Sequence, residues 1–214
     1  MATRYDPQGT EADFEPGSRG RVLRNLQGVR SAREMARRES DALLAATRRL
    51  IDETGADQRF TADDICRMHI GWLGEIYPWA GQYRQVNMSK GGFVFAVAAQ
   101  VPRLMSEVER GPLKEFTPCL FDDAARQARA LAVVHTELVL IHPFREGNGR
   151  CSPLLAMMMG LQAGLPALDF GGVRGEEKRR YFQAVQAGLD RNYEPMTAVF
   201  GRIIARTLRS QAGH

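Results

Sequence analysis

The sequence predicts a mainly helical, all-α protein that carries one small β-hairpin. Two observations support this prediction. Apolar residues recur three or four positions apart over most of the chain, which is the spacing of a single buried helical face. Residues of high β-propensity surround a glycine-containing turn in one stretch only, residues 82–95. With 214 residues, 44% hydrophobic and 25% charged, the chain has the composition of a globular protein with a core of its own.

Helix signals precede the hairpin. The sequence from Ser31 to Glu34 is a capping box, which predicts a helix that runs to about Asp52. Thr61 to Asp64 opens a second helix with apolar residues on one face. After the hairpin, helical spacing predicts further helices at about 101–108, 122–141, 150–161, 176–189 and 195–208.

The hairpin prediction rests on a change of pattern after the second helix. Two short β-prone runs flank a turn placed at residues 89–92, namely Tyr83, Val86 and Met88 before it and Phe93, Val94 and Phe95 after it. We therefore expect a single exposed two-stranded element in an otherwise helical protein.

Several classes of protein are disfavoured. No apolar run approaches the about 18–20 residues that cross a bilayer, and the polar start has no apolar segment typical of a secretory signal. Three cysteines without C-x-x-C spacing argue against a disulfide framework or a zinc site. Residues 1–20 are predicted to form an extended N-terminal arm and residues 21–210 a single domain. The expected setting is cytoplasmic, without membrane association.

The net charge of +4 reflects many arginines, nine of which lie between residues 19 and 49. A basic segment can bind nucleic acid, but it is more often a solvated helix face. Aromatic residues do not interleave with these arginines, so the stacking surface of a single-strand binder is missing. Direct nucleic-acid binding is not expected.

The segment that carries candidate chemistry is residues 142–150, His-Pro-Phe-Arg-Glu-Gly-Asn-Gly-Arg. Gly147 and Gly149 allow backbone turns that other residues avoid, so successive amide groups can converge on an anion. The N-terminus of the helix that follows also favours negative charge. Arg150 adds a planar guanidinium suited to phosphate oxygens. The segment therefore has the composition of a phosphate-binding loop.

The same segment holds an acid and a base. Glu146 offers hard oxygen ligands of the kind that Mg²⁺ requires beside phosphates. His142 titrates near neutrality and can accept a proton from an attacking hydroxyl. Taken singly, a histidine at a helix end is usually a cap, Gly-Asn-Gly a turn and an isolated glutamate a solvated charge. Their combination within nine consecutive positions indicates a phosphate and metal site.

This segment resembles the motif of the Fic (filamentation induced by cAMP) family, H-x-F-x-[D/E]-G-N-G-R-x-x-R, at every defined position but the last. Residues 77–84, Tyr-Pro-Trp-Ala-Gly-Gln-Tyr-Arg, and residues 89–92 are similar to the family's pre-flap segment and flap hairpin. The resemblance covers roughly residues 25–205. The related Doc kinases carry a lysine where Gly149 stands, so the chain is similar to the transferase branch.

The resemblance implies a Fic-type helical fold, ATP as substrate, Mg²⁺ as cofactor, and transfer of AMP to a Ser, Thr or Tyr hydroxyl of a target protein. It implies that His142 is the general base and Glu146 the Mg²⁺ ligand. The implied nucleotide-binding residues are Gly147, Asn148, Gly149 and Arg150, with Asn192 beside the adenine. The implied flap residues, which would dock a target segment by strand addition, are Val86, Lys90, Gly91 and Phe93.

One position departs from the family pattern. Pro153 stands where the family has its closing arginine, which grips the terminal phosphate and pairs with an inhibitory glutamate. We expect the fold to accept this proline because the first turn of a helix tolerates it. The lost cation leaves two alternatives to the adenylyltransferase open: a weakened phosphate-binding interaction module, and a Fic-type transferase with a different donor.

Regulation is also implied by the resemblance. The family's self-inhibitory pattern places Ser or Thr four residues before a glutamate, and no glutamate of this chain has that neighbour. We therefore expect a toxin that is restrained by a separate small antitoxin protein. Type II topoisomerases are the targets that the resemblance suggests.

Overall fold

The computed structural model describes residue 11 and residues 13–212. Residues 1–10 and 12 of the predicted N-terminal arm lie outside the described residues. The described part of the arm is not extended, because Phe14 forms an antiparallel bridge with Leu23 and the chain turns back between them. Gly17 and Gly20 lie in this turn with positive φ angles, which glycine adopts without strain.

The mainly helical class is confirmed. The helices are α1 (Ala32–Glu53), α2 (Ala62–Leu73), α3 (Val101–Val108), α4 (Lys114–Phe116), α5 (Ala124–Ile141), α6 (Asn148–Gln162), α7 (Gly175–Ala187) and α8 (Glu194–Ala212). The N-cap at the start of α1 is present, since the amide of Glu34 donates to the hydroxyl of Ser31 at 3.4 Å, while the Glu34 carboxylate accepts bonds from Arg38. The spacing of the apolar residues therefore located the helices, with their ends correct to a few residues.

The predicted hairpin is present but shorter than expected. Its strands are β1 (Ser89–Lys90) and β2 (Phe93–Val94), paired antiparallel around a Gly91-Gly92 turn. Ser89 and Lys90, which we placed in the turn, form β1, and residues 83–88 form no strand. The carbonyl of Met88 still accepts the N–H of Phe95 at 3.1 Å, but the backbone before it bonds elsewhere: the amide of Arg84 donates to the carbonyl of Pro143 at 2.8 Å.

The described residues form two compact units that alternate along the chain. The first comprises the residues up to Glu53, Ala62–Met105 and Ile141–Cys151; the second comprises Thr54–Thr61, Ser106–Leu140 and the residues from Ser152 onward. The prediction of a single domain over residues 21–210 stays a prediction.

The first unit has two apolar clusters. The larger surrounds Trp72 of α2 and includes Val22, Val29, Met35, Ala46, Leu73, Ile76, Tyr77 and Trp79. The smaller, which we call the flap cluster, consists of Val86, Met88 and Phe95, with Phe93 packed against it. The flap cluster anchors the hairpin on both sides.

The second unit has a core of its own around α5 and α8. His135 of α5 packs its ring at 5.2 Å from that of Phe200 in α8 and lies 2.8 Å from the hydroxyl of Tyr181 in α7. Among the described helices, none combines the length and the apolar surface needed to span a bilayer.

The expectation for Pro153 is wrong in one respect. Helix α6 begins at Asn148, so Pro153 is its sixth residue and lies beyond the first turn. Proline has no N–H to donate to the carbonyl of Gly149, four residues earlier. The helix therefore carries a gap in its hydrogen-bond ladder directly after the motif.

Candidate active site

A cavity of about 600 Å³ in the first unit contains the predicted motif. One wall is the loop between α5 and α6 together with the start of α6. The opposite surfaces come from the hairpin and from the N-terminal turn. The lining residues are Phe14, Gly20, Arg21, Leu23, Met88, Lys90, Phe95, His142, Arg145, Glu146, Gly147, Asn148, Gly149 and Arg150.

His142 enters the cavity from the end of α5. It is the first residue after the helix and has a φ of 55°, in the left-handed region that non-glycine residues seldom occupy. Its imidazole stacks on Phe95 of the flap cluster, with centroids 3.7 Å apart and planes at 13°. The structure therefore places the predicted base against the flap.

Gly147 has the turn geometry that the sequence indicated, and Gly149 does not. Gly147 has a φ of 84°, and a Cβ there would lie 2.8 Å from the ring of Trp72. Gly149 is a helical residue, and a Cβ there would meet nothing within 4 Å. The prediction that both glycines adopt backbone conformations that other residues avoid is right for Gly147 and wrong for Gly149.

Asn148 closes the loop. Its side chain is buried; its amide oxygen accepts the N–H of Phe144 at 2.8 Å, and its amide nitrogen donates to the carbonyl of Phe144 at 2.6 Å. Both ends of the side chain are therefore committed to the backbone of the loop. Asn148 also lines the cavity, and its predicted contact with a phosphate stays a prediction.

Glu146 and Arg150 face each other in the cavity. An oxygen of Glu146 accepts the N–H of Gly147 at 2.9 Å and lies 3.5 Å from the guanidinium of Arg150. The side chain of Glu146 is 45% exposed, so a ligand in the cavity can reach it. Arg150 also lies over the ring of Trp72, 4.6 Å from its centroid, in a cation–π contact.

Sequence reasoning missed Glu39 of α1, which pairs with Arg150 at 2.8 Å. Glu39 is buried; its other carboxylate oxygen accepts the hydroxyl of Tyr77 at 2.6 Å, and its carbonyl accepts the indole N–H of Trp72 at 2.8 Å. Burial and the hydrogen bond to the carboxylate of Glu39 raise the pKa of Tyr77 above its usual range. No spacing in the sequence pairs position 39 with position 150.

His69 of α2 was also missed. Its Nδ1 accepts the N–H of Gly81 at 2.9 Å, so its proton is on Nε2, which donates to the carbonyl of Glu146 at 3.0 Å. Its ring stacks on Phe144 with centroids 3.9 Å apart. His69 therefore supports the motif loop from behind. Burial lowers its pKa to about 4, which keeps it neutral at physiological pH.

The predicted flap residues divide into buried and exposed ones. Val86 is 3% exposed, so the prediction that it contacts a target is wrong for its side chain, which packs in the flap cluster. Lys90 and Gly91 are exposed, and Phe93 is half-buried. Val94 of β2 is 70% exposed.

Asn192 lies in the second unit. Its side-chain oxygen accepts the N–H of Glu194 at 3.3 Å, at the first residue of α8. This bond to the residue two positions ahead is an Asx turn that leads into the helix. Its predicted place beside an adenine stays a prediction.

The buried histidines make stability depend on pH. Burial lowers the pKa values of His69 and His135 to about 4 in the folded chain, against ~6.5 when unfolded. Between these pH values the unfolded chain binds the protons and the folded chain does not. We therefore expect the free energy of unfolding to fall as the pH drops from about 6.5 to about 4, by ~1.4 kcal/mol per pH unit for each histidine. Urea unfolding at a series of pH values measures this slope.

The control for this prediction is His69→Gln, which keeps a side-chain N–H but does not titrate. Because His135 alone then contributes, the slope should fall to about half. A slope that His69→Gln leaves unchanged would show that His69 does not contribute to acid sensitivity.

A helical fold with a histidine, a carboxylate, a left-handed glycine and an arginine around one loop is the architecture of Fic domains. The model of the Fic/DOC family matches residues 59–159, which identifies a Fic domain in that part of the chain.

Its relatives include named enzymes. It is 28% identical over 211 residues to the probable protein adenylyltransferase Fic of Salmonella typhimurium, covering 95% of this chain and 97% of that protein. It is 27% identical over 159 residues to the protein adenylyltransferase VbhT of Bartonella schoenbuchensis, covering 74% of this chain and 33% of that protein.

Solved structures show the same fold. BepC of Bartonella tribocorum with bound AMPPNP is similar with a TM-score of 0.74 and 22% identity, over 92% of this chain and 98% of that one. The N-terminal Fic domain of a putative cell filamentation protein of Bartonella quintana, with bound ADP, is similar with a TM-score of 0.69 and 23% identity, over 89% and 92%.

Proposed function

We propose that this chain is a protein adenylyltransferase that transfers AMP from ATP to a Ser, Thr or Tyr hydroxyl of a target protein. The observation that carries the proposal is the convergence of His142, Glu146 and Arg150 on one cavity beside the Gly147 turn. A base, a hard oxygen ligand and a phosphate-binding cation are the groups that nucleotidyl transfer requires. The names of the relatives and the nucleotides in the solved structures support it.

The reaction assigns a role to each group. The target hydroxyl oxygen attacks the α-phosphorus of ATP while His142 accepts its proton. The bond from the α-phosphorus to the oxygen that bridges to the β-phosphorus breaks, and pyrophosphate leaves. Arg150 stabilises the negative charge that builds on the phosphate oxygens. To do so its guanidinium exchanges contact with Glu146 and Glu39 for phosphate.

The donor set of the cavity fits Mg²⁺ bound together with phosphates. Among the described residues, no group of three or more His, Cys, Asp or Glu side chains is placed to hold a metal ion alone. Mg²⁺ commonly takes one carboxylate and completes its ligands with phosphate oxygens and water. Glu146 would be that carboxylate, and the ion would neutralise phosphate charge.

A substitution of Glu146 tests the metal assignment. Glu146→Gln keeps an oxygen that can accept the N–H of Gly147 but removes the negative charge. With Mg²⁺ present, we expect ATP affinity to fall by about tenfold or more, since one charged ligand is lost. In EDTA the affinity should be unchanged or higher, because the carboxylate then only repels the phosphates. Titration calorimetry measures both; an equal loss in both buffers would contradict the assignment.

Labelled ATP tests the proposed reaction and its alternatives. The purified chain is incubated with lysate and ATP labelled on either the α- or the γ-phosphate. Protein labelled from the α-position alone is the expected result, and label from the γ-position would indicate a kinase. Absence of label despite ATP binding would favour the phosphate-binding interaction module, which the cation lost at Pro153 motivates. Label that appears only with another nucleotide would favour a different donor.

The target is proposed to dock on the hairpin. In the part of the chain that the structure describes, the sheet has two strands, so each has an outer edge without a neighbouring strand, and Val94 on β2 is exposed. Restraint by an antitoxin, a type II topoisomerase target and a cytoplasmic setting rest on the family resemblance and stay predictions.

A further inference from the structure

Arg84 is a fully buried arginine that binds the backbone at the end of α5 and at the start of the motif loop, residues 142–147. Its Nε donates to the carbonyl of His142 at 2.6 Å, and its Nη2 donates to the carbonyl of Ile141 at 3.1 Å. Its own backbone N–H donates to the carbonyl of Pro143 at 2.8 Å. One residue therefore holds three consecutive carbonyls, with that of His142 in the middle.

The same guanidinium binds the hairpin on both sides. Its Nη1 donates to the carbonyl of Val86 at 2.6 Å, before β1, and its Nη2 donates to the carbonyl of Ala96, after β2. These two carbonyls belong to the segments that enter and leave the hairpin. The hairpin and the motif loop are thus joined through one side chain.

Physical chemistry explains why an arginine occupies this position. The last carbonyls of a helix have no partner within it and carry its negative dipole end, which favours a cation. Arginine presents five N–H donors in a rigid planar group, so it can bond carbonyls on two sides at once. Lysine has a single charged nitrogen and cannot span the same carbonyls.

The conformation of His142 requires such support. A left-handed residue that is not glycine persists when its surroundings fix it, and His142 has a φ of 55°. Its backbone is held by Arg84, and its ring is stacked at 3.7 Å on Phe95, the residue before Ala96. These two restraints on His142 therefore come from the segments that flank the hairpin.

We propose that Arg84 is a positioning residue that fixes the position of the hairpin relative to His142. This inference rests on the proposed function, in which a target segment docks on the hairpin and delivers its hydroxyl to His142. Proton transfer needs that hydroxyl within hydrogen-bond distance of the imidazole. A shift of the hairpin relative to His142 misplaces the hydroxyl even when ATP is bound correctly.

The first experiment compares Arg84→Lys with the wild type. We expect kcat for AMP transfer to fall by about 10²-fold, which is the effect of a misplacement of about 1 Å. ATP affinity should stay within about twofold, because the bonds described above from Arg84 reach the end of α5, the start of the motif loop and the hairpin segments. The control is Met105→Ala, a buried change in the same unit outside the flap cluster, which should lower stability without a comparable loss of kcat.

The second experiment does not depend on any enzymatic activity. The ring of Phe95 shields the protons of an imidazole stacked on its face, so the Hε1 signal of His142 should be shifted upfield in the NMR spectrum of the wild type. In Arg84→Lys this signal should move toward the value of an unstacked histidine, while the Hε1 signal of buried His69 stays in place.

The outcomes separate the inference from the proposed function. The inference would be overturned if the His142 signal of Arg84→Lys stayed at its wild-type position, or if the loss of kcat were matched by an equal loss of ATP affinity. A wild type that fails to transfer AMP would contradict the proposed function, and the NMR result would still decide the role of Arg84. If Arg84→Lys does not fold, Phe95→Leu replaces it. The same loss of kcat with ATP affinity retained would support the inference that the hairpin segments position His142, and an unchanged kcat would overturn it.

Discussion

Replacing His142 by alanine is expected to reduce the rate of AMP transfer by about 10²–10⁴-fold. The reason is that the target hydroxyl must lose its proton as it attacks, and His142 is the titratable imidazole that lines the cavity. ATP affinity should change by less than about threefold, because the groups proposed to bind the phosphates and the metal lie at Glu146, Gly147 and Arg150. Single-turnover rates and titration calorimetry measure the two effects separately.

A second variant distinguishes loss of the base from distortion of the backbone. His142 has a φ of 55°, and alanine is strained there, whereas asparagine tolerates the left-handed region. His142→Asn should therefore keep the loop conformation and still lose the proton acceptor. A rate close to that of the wild type in His142→Asn would remove the imidazole from the mechanism.

The parts of the fold that the sequence predicted are those with local signals. The cap signal at Ser31, the spacing of apolar residues in α2 and the glycine-containing turn each act over a few neighbouring positions. The sequence placed that turn at residues 89–92, and the structure narrows it to residues 91–92. The motif at residues 142–150 is local in the same sense. Its residues can be recognised because the chemistry of an anion-binding loop needs them close together along the chain.

The contacts that the sequence did not reveal join distant positions. Glu39 and Arg150 are 111 positions apart, His69 and Glu146 are 77 apart, and Arg84 and His142 are 58 apart. Each of these pairs includes a polar residue of α1, α2 or the segment after α2, where periodicity marks only the burial of apolar neighbours. Periodicity gives the face of a helix, and the partner on the other side is set by the packing of the whole unit.

The two glycines of the motif show the same limit at a finer scale. Composition gave Gly147 and Gly149 the same role, because either can adopt a turn that other residues avoid. They differ in two ways: Gly147 has a positive φ, and the ring of Trp72 packs against Gly147 and not against Gly149. Trp72 is 75 positions before Gly147 in the sequence, so its approach is visible in the structure alone.

This difference predicts opposite effects of one substitution at the two positions. Gly147→Ala is expected to lower the free energy of unfolding by about 2–4 kcal/mol, from the strain of a positive φ and from overpacking. Its new Cβ would lie 2.8 Å from the ring of Trp72, which is buried beneath Arg150 and cannot easily move. ATP affinity should fall by more than about tenfold, because Glu146 and Arg150 are carried on the loop that must shift.

Gly149→Ala is the matched control, since it adds the same methyl group two positions along the chain. A Cβ at Gly149 meets nothing within 4 Å, and alanine in a helix is more stable than glycine by about 0.5–1 kcal/mol. We therefore expect Gly149→Ala to raise the melting temperature and Gly147→Ala to lower it, as measured by thermal unfolding. Equal destabilisation by both would show that Trp72 does not set the difference.

ATP titration of the stabilised Gly149→Ala then tests the predicted nucleotide contact of Gly149. Weaker binding would mean that phosphate approaches the backbone at this position, and unchanged binding would mean that it does not.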